Sequence, residues 1–212
     1  MMNRLALSIF LLFTSRQILA DENYFGFELG SASLNESYSP DRIGWAWYPQ
    51  SISNSPSKTS QRIFYGVALN EQLDLELGVF KTNQFHYVDR AINLGFWDTN
   101  LSFESKGIDL TGIYWINPII FLKLGGHLSE TEWKARLSTR INNNVYSSSG
   151  NNRKIDLLAG AGAEYPLSEK LSIRAEFNYY RNLNTLNSPD LLGGYVNWEN
   201  LKSINIGLKA IF

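Results

Sequence analysis

From residue 24 onward, apolar side chains alternate with small or polar ones in segments of about ten residues. In YFGFELGSAS, Phe25, Phe27 and Leu29 occupy every second position. This period of two places all three on one face of a β-strand, so we predict an all-β chain. Seven further segments repeat the pattern: RIFYGVALN, LDLELGVF, GIDLTGIYW, IIFLKLGGHLS, KIDLLAGAGAEY, LSIRAEFNYY and SINIGLKAIF.

The connections between these eight predicted strands alternate between short and long. The long ones cover residues 34–60, 81–105, 130–153 and 181–201, whereas the short ones are NEQ, INP and PLSEK. Connections in soluble domains usually have about 4–6 residues. Short turns at one end and long loops at the other are typical of membrane β-barrels.

Two all-β architectures fit the alternation, a soluble sandwich and a membrane barrel. A sandwich buries the apolar face, whereas a barrel turns it toward lipid and lines its interior with the polar face. Charged residues in mid-strand would be solvated in a sandwich, so the alternation alone leaves both open. Strands of about 9–11 residues match a tilted membrane span, and backbone groups in lipid must pair within a closed sheet. We therefore predict an eight-stranded antiparallel up-and-down transmembrane β-barrel, with short periplasmic turns and four long extracellular loops.

The first twenty residues form a separate segment. MMNR supplies a positive start, LALSIFLLF is too short to span a bilayer as a helix, and ILA ends in a small residue before DEN. This pattern predicts a secretory signal peptide over residues 1–20, cleaved after Ala20, with the barrel over 21–212. A buried N-terminal helix is the alternative.

Composition and charge narrow the function classes. A formal net charge of −1 argues against a nucleic-acid partner. The chain has no cysteine, which excludes disulfides and cysteine-ligated metals. Its two histidines, His86 and His127, lack partners at metal-ligand spacing. We therefore predict no metal site and no cofactor.

The stretch LAGAGAEYPLSEKLSIRAEFNYYRN resembles the sixth and seventh strands of the OmpA-like outer-membrane β-barrels. LDLELGVF and FLKLGGH resemble the third and fifth strands of that family. The resemblance implies a bacterial outer-membrane location after export. It also implies the transmembrane domain alone, without the peptidoglycan-binding domain that larger members carry.

The resemblance also implies a network of charges inside the barrel. Glu76, Glu164 and Arg174 match the family's buried ion pairs, and Lys123 and Glu176 match further interior charges. The family's lysine on the fourth strand has no equivalent in DLTGIYW. A cation among carboxylates in a narrow lumen must stay paired. We therefore predict that Arg174 bridges Glu76 and its neighbours and blocks a continuous pore.

GGHLSE contains the one pattern that suggests catalysis. Its His127-x-Ser129 step resembles that of small lipid A deacylase barrels, in which a serine attacks an acyl ester. Here both residues fall on the predicted lumenal face, whereas a lipid-cleaving site would face the bilayer. The asparagine of the deacylase pattern is also missing. We therefore predict no catalytic residues and no enzyme, with lipid A modification as the lowest alternative.

The last strand, SINIGLKAIF, ends in an aromatic residue, Phe212. This end resembles the signal that the barrel-assembly machinery reads. We expect deletion of Phe212 to lower outer-membrane assembly at high expression, measured by fractionation and by heat-modifiable migration on gels. Normal insertion of that variant would count against an assembly role.

The predicted loops carry two aromatic patches. They are IGWAWYPQ, with Trp45, Trp47 and Tyr48, and NLGFWD, with Phe96 and Trp97. Such patches suit contact with a host surface, phage or lipopolysaccharide. The alternative, which we favour, is that they form the upper membrane girdle or a small loop core. We predict a structural, envelope-integrity role with at most a narrow pore, and contacts with outer-membrane lipid and lipopolysaccharide. The alternative is an adhesin or host-interaction barrel that acts through its loops.

Overall fold

The computed structural model describes residues 22–39, 52–54, 57–91, 97–139, 145–188 and 194–212. The predicted signal peptide lies outside these residues. No helix in the described ranges is long and apolar enough to cross a membrane. The strands are β1 (Asn23–Ser39), β2 (Ile52–Asn54), β3 (Lys58–Ala68), β4 (Leu73–Thr82), β5 (Phe85–Ala91), β6 (Trp97–Trp115), β7 (Ile120–Thr139), β8 (Val145–Ser168), β9 (Leu171–Ser188) and β10 (Gly194–Ile211).

Eight of these strands close into a ring. The order around the barrel is β1–β3–β4–β6–β7–β8–β9–β10, and β10 pairs again with β1. All of these pairings are antiparallel. β5 continues the line of β4 along β6, and the short β2 pairs with β5 above β3. The predicted eight-stranded antiparallel barrel is confirmed.

The alternation is turned inside out relative to a soluble protein. Along β4, Leu73, Leu75, Leu77 and Val79 are exposed, whereas Asp74 and Glu76 are fully buried. Leu77 is 53% exposed and its neighbour Glu76 0%. The apolar face therefore forms an outer band that meets lipid, and the polar face fills the interior, as predicted.

Two of the three short connections are tight turns stabilised by asparagine. The Asn70 side chain accepts a hydrogen bond from the Gln72 backbone N–H (2.9 Å). Asn117 does the same for Ile119 and Ile120, at 2.9 and 2.8 Å. An asparagine carbonyl that mimics a backbone acceptor favours such turns. These two turns lie at one end of the barrel, which is the periplasmic end.

At the opposite end, strands continue into segments that the sequence assigns to loops. β7 reaches Thr139 and β8 begins at Val145, so most of 130–153 is a hairpin. The wall also divides there, because β8 pairs with β9 only from Leu158 onward and β1 pairs with β3 only up to Ala32. Two sheets, β9–β10–β1 and β2–β5–β6–β7–β8, therefore rise above the apolar band. On β7 between residues 130 and 136, and on β8 between 147 and 153, the outward positions are polar, so the apolar alternation that reveals the membrane strands is missing there.

Candidate functional site: the charged barrel interior

The five charged residues predicted for the interior all lie inside the barrel. Glu76 is on β4, Lys123 on β7, Glu164 on β8, and Arg174 and Glu176 on β9. Each is at most 8% exposed. Glycines beside them leave room for other interior side chains, since a Cβ atom at Gly66 would overlap the Tyr24 ring and one at Gly160 would lie 2.8 Å from Asn178 Oδ1. Side chains of this length fit into a narrow eight-stranded lumen only where the neighbouring positions are small.

Arg174 binds carboxylates on three strands. Its guanidinium forms ion pairs with Glu76 and Glu164. Nε donates a hydrogen bond to Glu164 Oε2 at 3.1 Å, and Nη2 lies 3.0 Å from the same oxygen. Glu176 lies 3.9 Å from Nη1. The guanidinium also sits 4.7 Å from the ring centre of Phe64 and 4.9 Å from that of Phe121. These rings supply cation–π contacts in place of water.

Lys123 completes the contacts among the five. Its Nζ atom donates to Glu176 Oε1 at 3.1 Å and lies 3.7 Å from Glu76 Oε2. Within this group of five, Glu76 therefore contacts both cations, and Glu176 links Lys123 to Arg174. The five residues form one contiguous network.

Arg62, which the sequence analysis did not select, is a second hub of this network. Its Nη2 atom lies 2.8 Å from Asp109 Oδ1 and 3.1 Å from Glu76 Oε2, and its Nε donates to Asp109 Oδ2 at 3.1 Å. Nη1 is 3.7 Å from both Glu28 and Glu176. The alternation of β3 places Arg62 on the polar face, because it directly precedes the outward Ile63. The prediction missed it because it is the first residue of the predicted segment RIFYGVALN, next to a long predicted loop, whereas β3 in fact begins at Lys58.

A smaller polar cluster lies toward the periplasmic end. The Tyr24 hydroxyl is 3.2 Å from Asp74 Oδ2 and from Glu76 Oε1. Trp115 Nε1 donates to the same oxygen of Asp74 at 2.9 Å. Lys209 pairs with Glu164 and stands 4.4 Å from the ring centre of Tyr24. Tyr24 therefore links this cluster to the larger network.

Apolar side chains close the interior on both sides of the charges. Toward the extracellular end, the ring of Phe80 packs at a tilt against that of Tyr180, with centres 4.6 Å apart, and Phe85 stacks on Phe103 at 5.1 Å. Toward the periplasm, Trp115 and Phe121 pack at 5.1 Å. Within the described residues, four cationic and six acidic side chains are buried in the interior. Removal of any one cation therefore increases an existing excess of negative charge.

His127 and Ser129 do not form a nucleophile–base pair. Both are buried inside the barrel. His127 Nε2 lies 3.0 Å from the Arg181 carbonyl oxygen, and its ring packs against Phe80 and Tyr180. The Ser129 hydroxyl has no hydrogen-bond partner in the described part of the chain. No cluster of three or more histidine, aspartate or glutamate residues there is arranged to hold a metal ion.

The other selected residues lie at the two ends of the barrel. Phe212 is 68% exposed, and its ring centre is 6.5 Å from that of Tyr65. Its backbone N–H donates to the Asn23 carbonyl oxygen at 3.0 Å. Trp97 is the first residue of β6. The remaining loop aromatics, Trp45, Trp47, Tyr48 and Phe96, lie outside the described residues.

Two solved barrels share this architecture. The outer membrane protein OprG from Pseudomonas aeruginosa aligns with a TM-score of 0.53 and 15% identity, covering 90% of this chain and 96% of that one. A major outer membrane protein from Thermus thermophilus also aligns with a TM-score of 0.53, at 11% identity, covering 90% of this chain and 99% of that one. At such low identities, the similarity shows the fold.

The sequence comparisons show the family. No curated protein matches the chain significantly. The family model for the OmpA-like transmembrane domain matches residues 19–210, which is nearly the whole chain. With the closed barrel and its outward apolar band, this match places the protein in the bacterial outer membrane. The chain belongs to the OmpA-like transmembrane domain family of outer-membrane β-barrels.

Proposed function

We propose that this protein is a structural barrel that supports envelope integrity and conducts at most through a narrow or intermittent pore. The observation that supports this function is the ion pair between Arg174 and Glu76. β4 and β9 are four strands apart in either direction around the ring of eight, so this pair joins opposite walls. A charged bridge across the full width of a narrow lumen obstructs the path of ions.

The bridge is supported on each side. Glu164 holds the guanidinium of Arg174 from β8, while Lys123 and Arg62 approach the Glu76 carboxylate from β7 and β3. Buried charges of this kind are retained only when they are paired, because an isolated ion would lose its hydration without compensation. The network therefore resists the separation of any single pair.

Replacement of Arg174 by alanine should open the lumen. Without the guanidinium, Glu76, Glu164 and Glu176 lose a shared partner and must take up water. We expect a larger conductance, or a longer open time, than for the wild-type protein in planar lipid bilayers. We also expect the new current to favour cations, because the surplus charge is negative.

Arg153→Ala is the matched control, because Arg153 lies on the outer wall with its side chain 72% exposed. Heat-modifiable migration on gels identifies the folded fraction of each variant before it is measured. Unchanged conductance of folded Arg174→Ala would mean that the bridge does not close the lumen.

We further propose that the protein acts without a catalytic step. The lumenal positions of His127 and Ser129 support this, since neither side chain faces the lipid. Contacts with the assembly machinery, lipid and lipopolysaccharide remain predictions. The same holds for contact with a host surface or phage, whose candidate aromatics lie mainly outside the described residues.

A further inference from the structure

The outer wall above the apolar band carries charges on β4, β6, β7 and β8. The outermost large apolar residues of the band on these strands are Val79, Ile108, Leu128 and Ile155. The next outward-facing positions toward the extracellular end hold Lys81, Lys106, Glu130 and Arg153, which adjoin one another in the strand register. These residues mark the level at which the membrane ends.

Three ion pairs account for the charges at this level. Arg153 Nε lies 3.1 Å from Glu130 Oε2, and Lys81 Nζ lies 3.8 Å from Glu104 Oε1. Lys106 pairs with Glu132. A hydrogen bond from Asn151, together with Arg153, holds the pKa of Glu130 below its ordinary value. Glu130 is therefore ionised at neutral pH, and all three acids already have a cationic partner.

Two cations directly above have no such partner. Lys134 and Arg136 project from the exposed face of β7, and neither forms an ion pair with a carboxylate among the described residues. Short polar residues flank each of them. Ser102 and Ser149 pair with Lys134 in the register, and Asn100 and Ser147 pair with Arg136.

These side chains line a groove of about 490 Å³, which we call the outer-wall groove. Long cations stand between rows of short hydroxyl and amide side chains, so the groove is open on the outside of the barrel. A guanidinium can bind a phosphate through two parallel hydrogen bonds, and an ammonium adds a point charge. Serine and asparagine can in turn bind sugar hydroxyls.

The height of the groove above the hydrocarbon layer indicates which part of the outer leaflet lies beside it. Lys134 is six residues beyond Leu128 on β7. With a rise of about 3.3 Å per residue and a tilt of about 40°, it stands roughly 15 Å above the edge of the hydrocarbon. That level lies above the acyl chains of the outer leaflet, among the sugars of its glycolipids. Because the groove faces sideways, it adjoins these sugars directly.

We propose that the outer-wall groove binds the phosphorylated core sugars of lipopolysaccharide in the surrounding leaflet. This inference rests on the outer-membrane location and on the proposed structural role. It identifies the residues that make the lipopolysaccharide contact of that role. Lys134 and Arg136 bind a core phosphate, and the flanking serines and Asn100 bind its sugar. Such a contact fixes the neighbouring glycolipid to the barrel above the membrane surface.

The test compares a double variant, Lys134→Gln with Arg136→Gln, with a control of equal charge change, Lys81→Gln with Arg153→Gln. Each refolded protein is titrated in detergent with three probes. These are lipopolysaccharide with a phosphorylated core, lipopolysaccharide from cells that lack the core heptose kinases, and lipid A alone. We expect the groove variant to bind the phosphorylated form roughly tenfold more weakly than wild type, and the control less than about threefold.

The other probes decide whether core phosphate is the ligand. Wild-type protein should bind lipopolysaccharide without core phosphates about as weakly as the groove variant binds the phosphorylated form. The groove variant should bind both forms equally. Equal losses in the two double variants would overturn the proposal, because general charge would explain the binding. Wild-type affinity of the groove variant for every probe would also overturn it, as would an equal loss toward lipid A alone.

Heat-modifiable migration verifies that each variant folds. The single variants are measured as well, so that a folding defect in the double variant still leaves a result. Wild-type protein is also titrated with a soluble sulfated glycan, and tighter binding of that glycan than of the phosphorylated lipopolysaccharide would contradict this assignment. Conductance in planar bilayers should not change with these substitutions, which separates this proposal from the one on the lumen.

Discussion

Replacement of Arg62 by methionine should lower the free energy of unfolding of the barrel by about 3–5 kcal/mol. Methionine keeps much of the length of the side chain but removes the cation that contacts Asp109, Glu76, Glu28 and Glu176. The loss is large because removal of one member of a buried ionic group leaves the other charges buried without a partner. Urea unfolding in lipid vesicles, followed by tryptophan fluorescence and gel migration, measures it.

Two further variants separate this explanation from a general effect of charge. Arg153→Met removes an exposed cation from the outer wall, where an ion pair contributes about 0–1 kcal/mol. Arg62→Met combined with Asp109→Leu removes the closest pair together and should recover part of the stability, since both hydrogen-bonded partners are then apolar. A loss of less than about 1 kcal/mol in Arg62→Met would show that the interior hydrates easily.

The second large effect is expected at Gly125, which faces the lumen on β7. A Cβ atom there would overlap the carbonyl oxygen of Leu110 and lie 2.7 Å from the Cα of Thr111. Both atoms belong to the backbone of β6, so no side chain can move aside. We expect Gly125→Ala to lower the free energy of unfolding by about 1–3 kcal/mol, as overpacking does in other tightly packed interiors.

Gly126 provides a control one residue away. Its Cβ would meet nothing closer than the Asp156 carbonyl oxygen at 3.5 Å, an ordinary contact. Gly126→Ala should therefore be neutral, or stabilise the fold by about 0.4–1 kcal/mol through a less flexible unfolded chain. Equal urea midpoints for the two variants would contradict the close approach of β6 and β7 at Gly125.

Much of the architecture follows from the alternation of side chains. In LDLELGVF, the order of residues assigns Leu75 and Leu77 to one face and Asp74 and Glu76 to the other, because a strand alternates strictly. Eight such segments with turn residues between alternate pairs are sufficient to predict a closed ring. The interior positions of Glu76, Lys123 and Arg174 follow from the same period.

The extent of the strands above the membrane did not follow from this pattern. The β7–β8 hairpin reaches Thr139 and Val145 through backbone hydrogen bonds, while the outward side chains there are serine, asparagine and charged residues. Strands above the membrane face water on the outside, so their outward residues need not be apolar. The alternation of apolar and polar residues that marks the membrane strands is therefore absent there. The pairing of Lys134 with Ser102 and Ser149, and with it the outer-wall groove, depends on this extension.

The sequence alone was sufficient for the number of membrane strands, the inside-out orientation of their faces and the residue types of the interior. These are local properties, since they depend on the parity of positions within one strand. The sequence did not determine which charged side chains pair with one another inside the barrel. Arg62 meets Asp109 and Arg174 meets Glu76 because register, tilt and closure bring distant strands to the same height. That coincidence is a property of the whole ring, and no single segment encodes it.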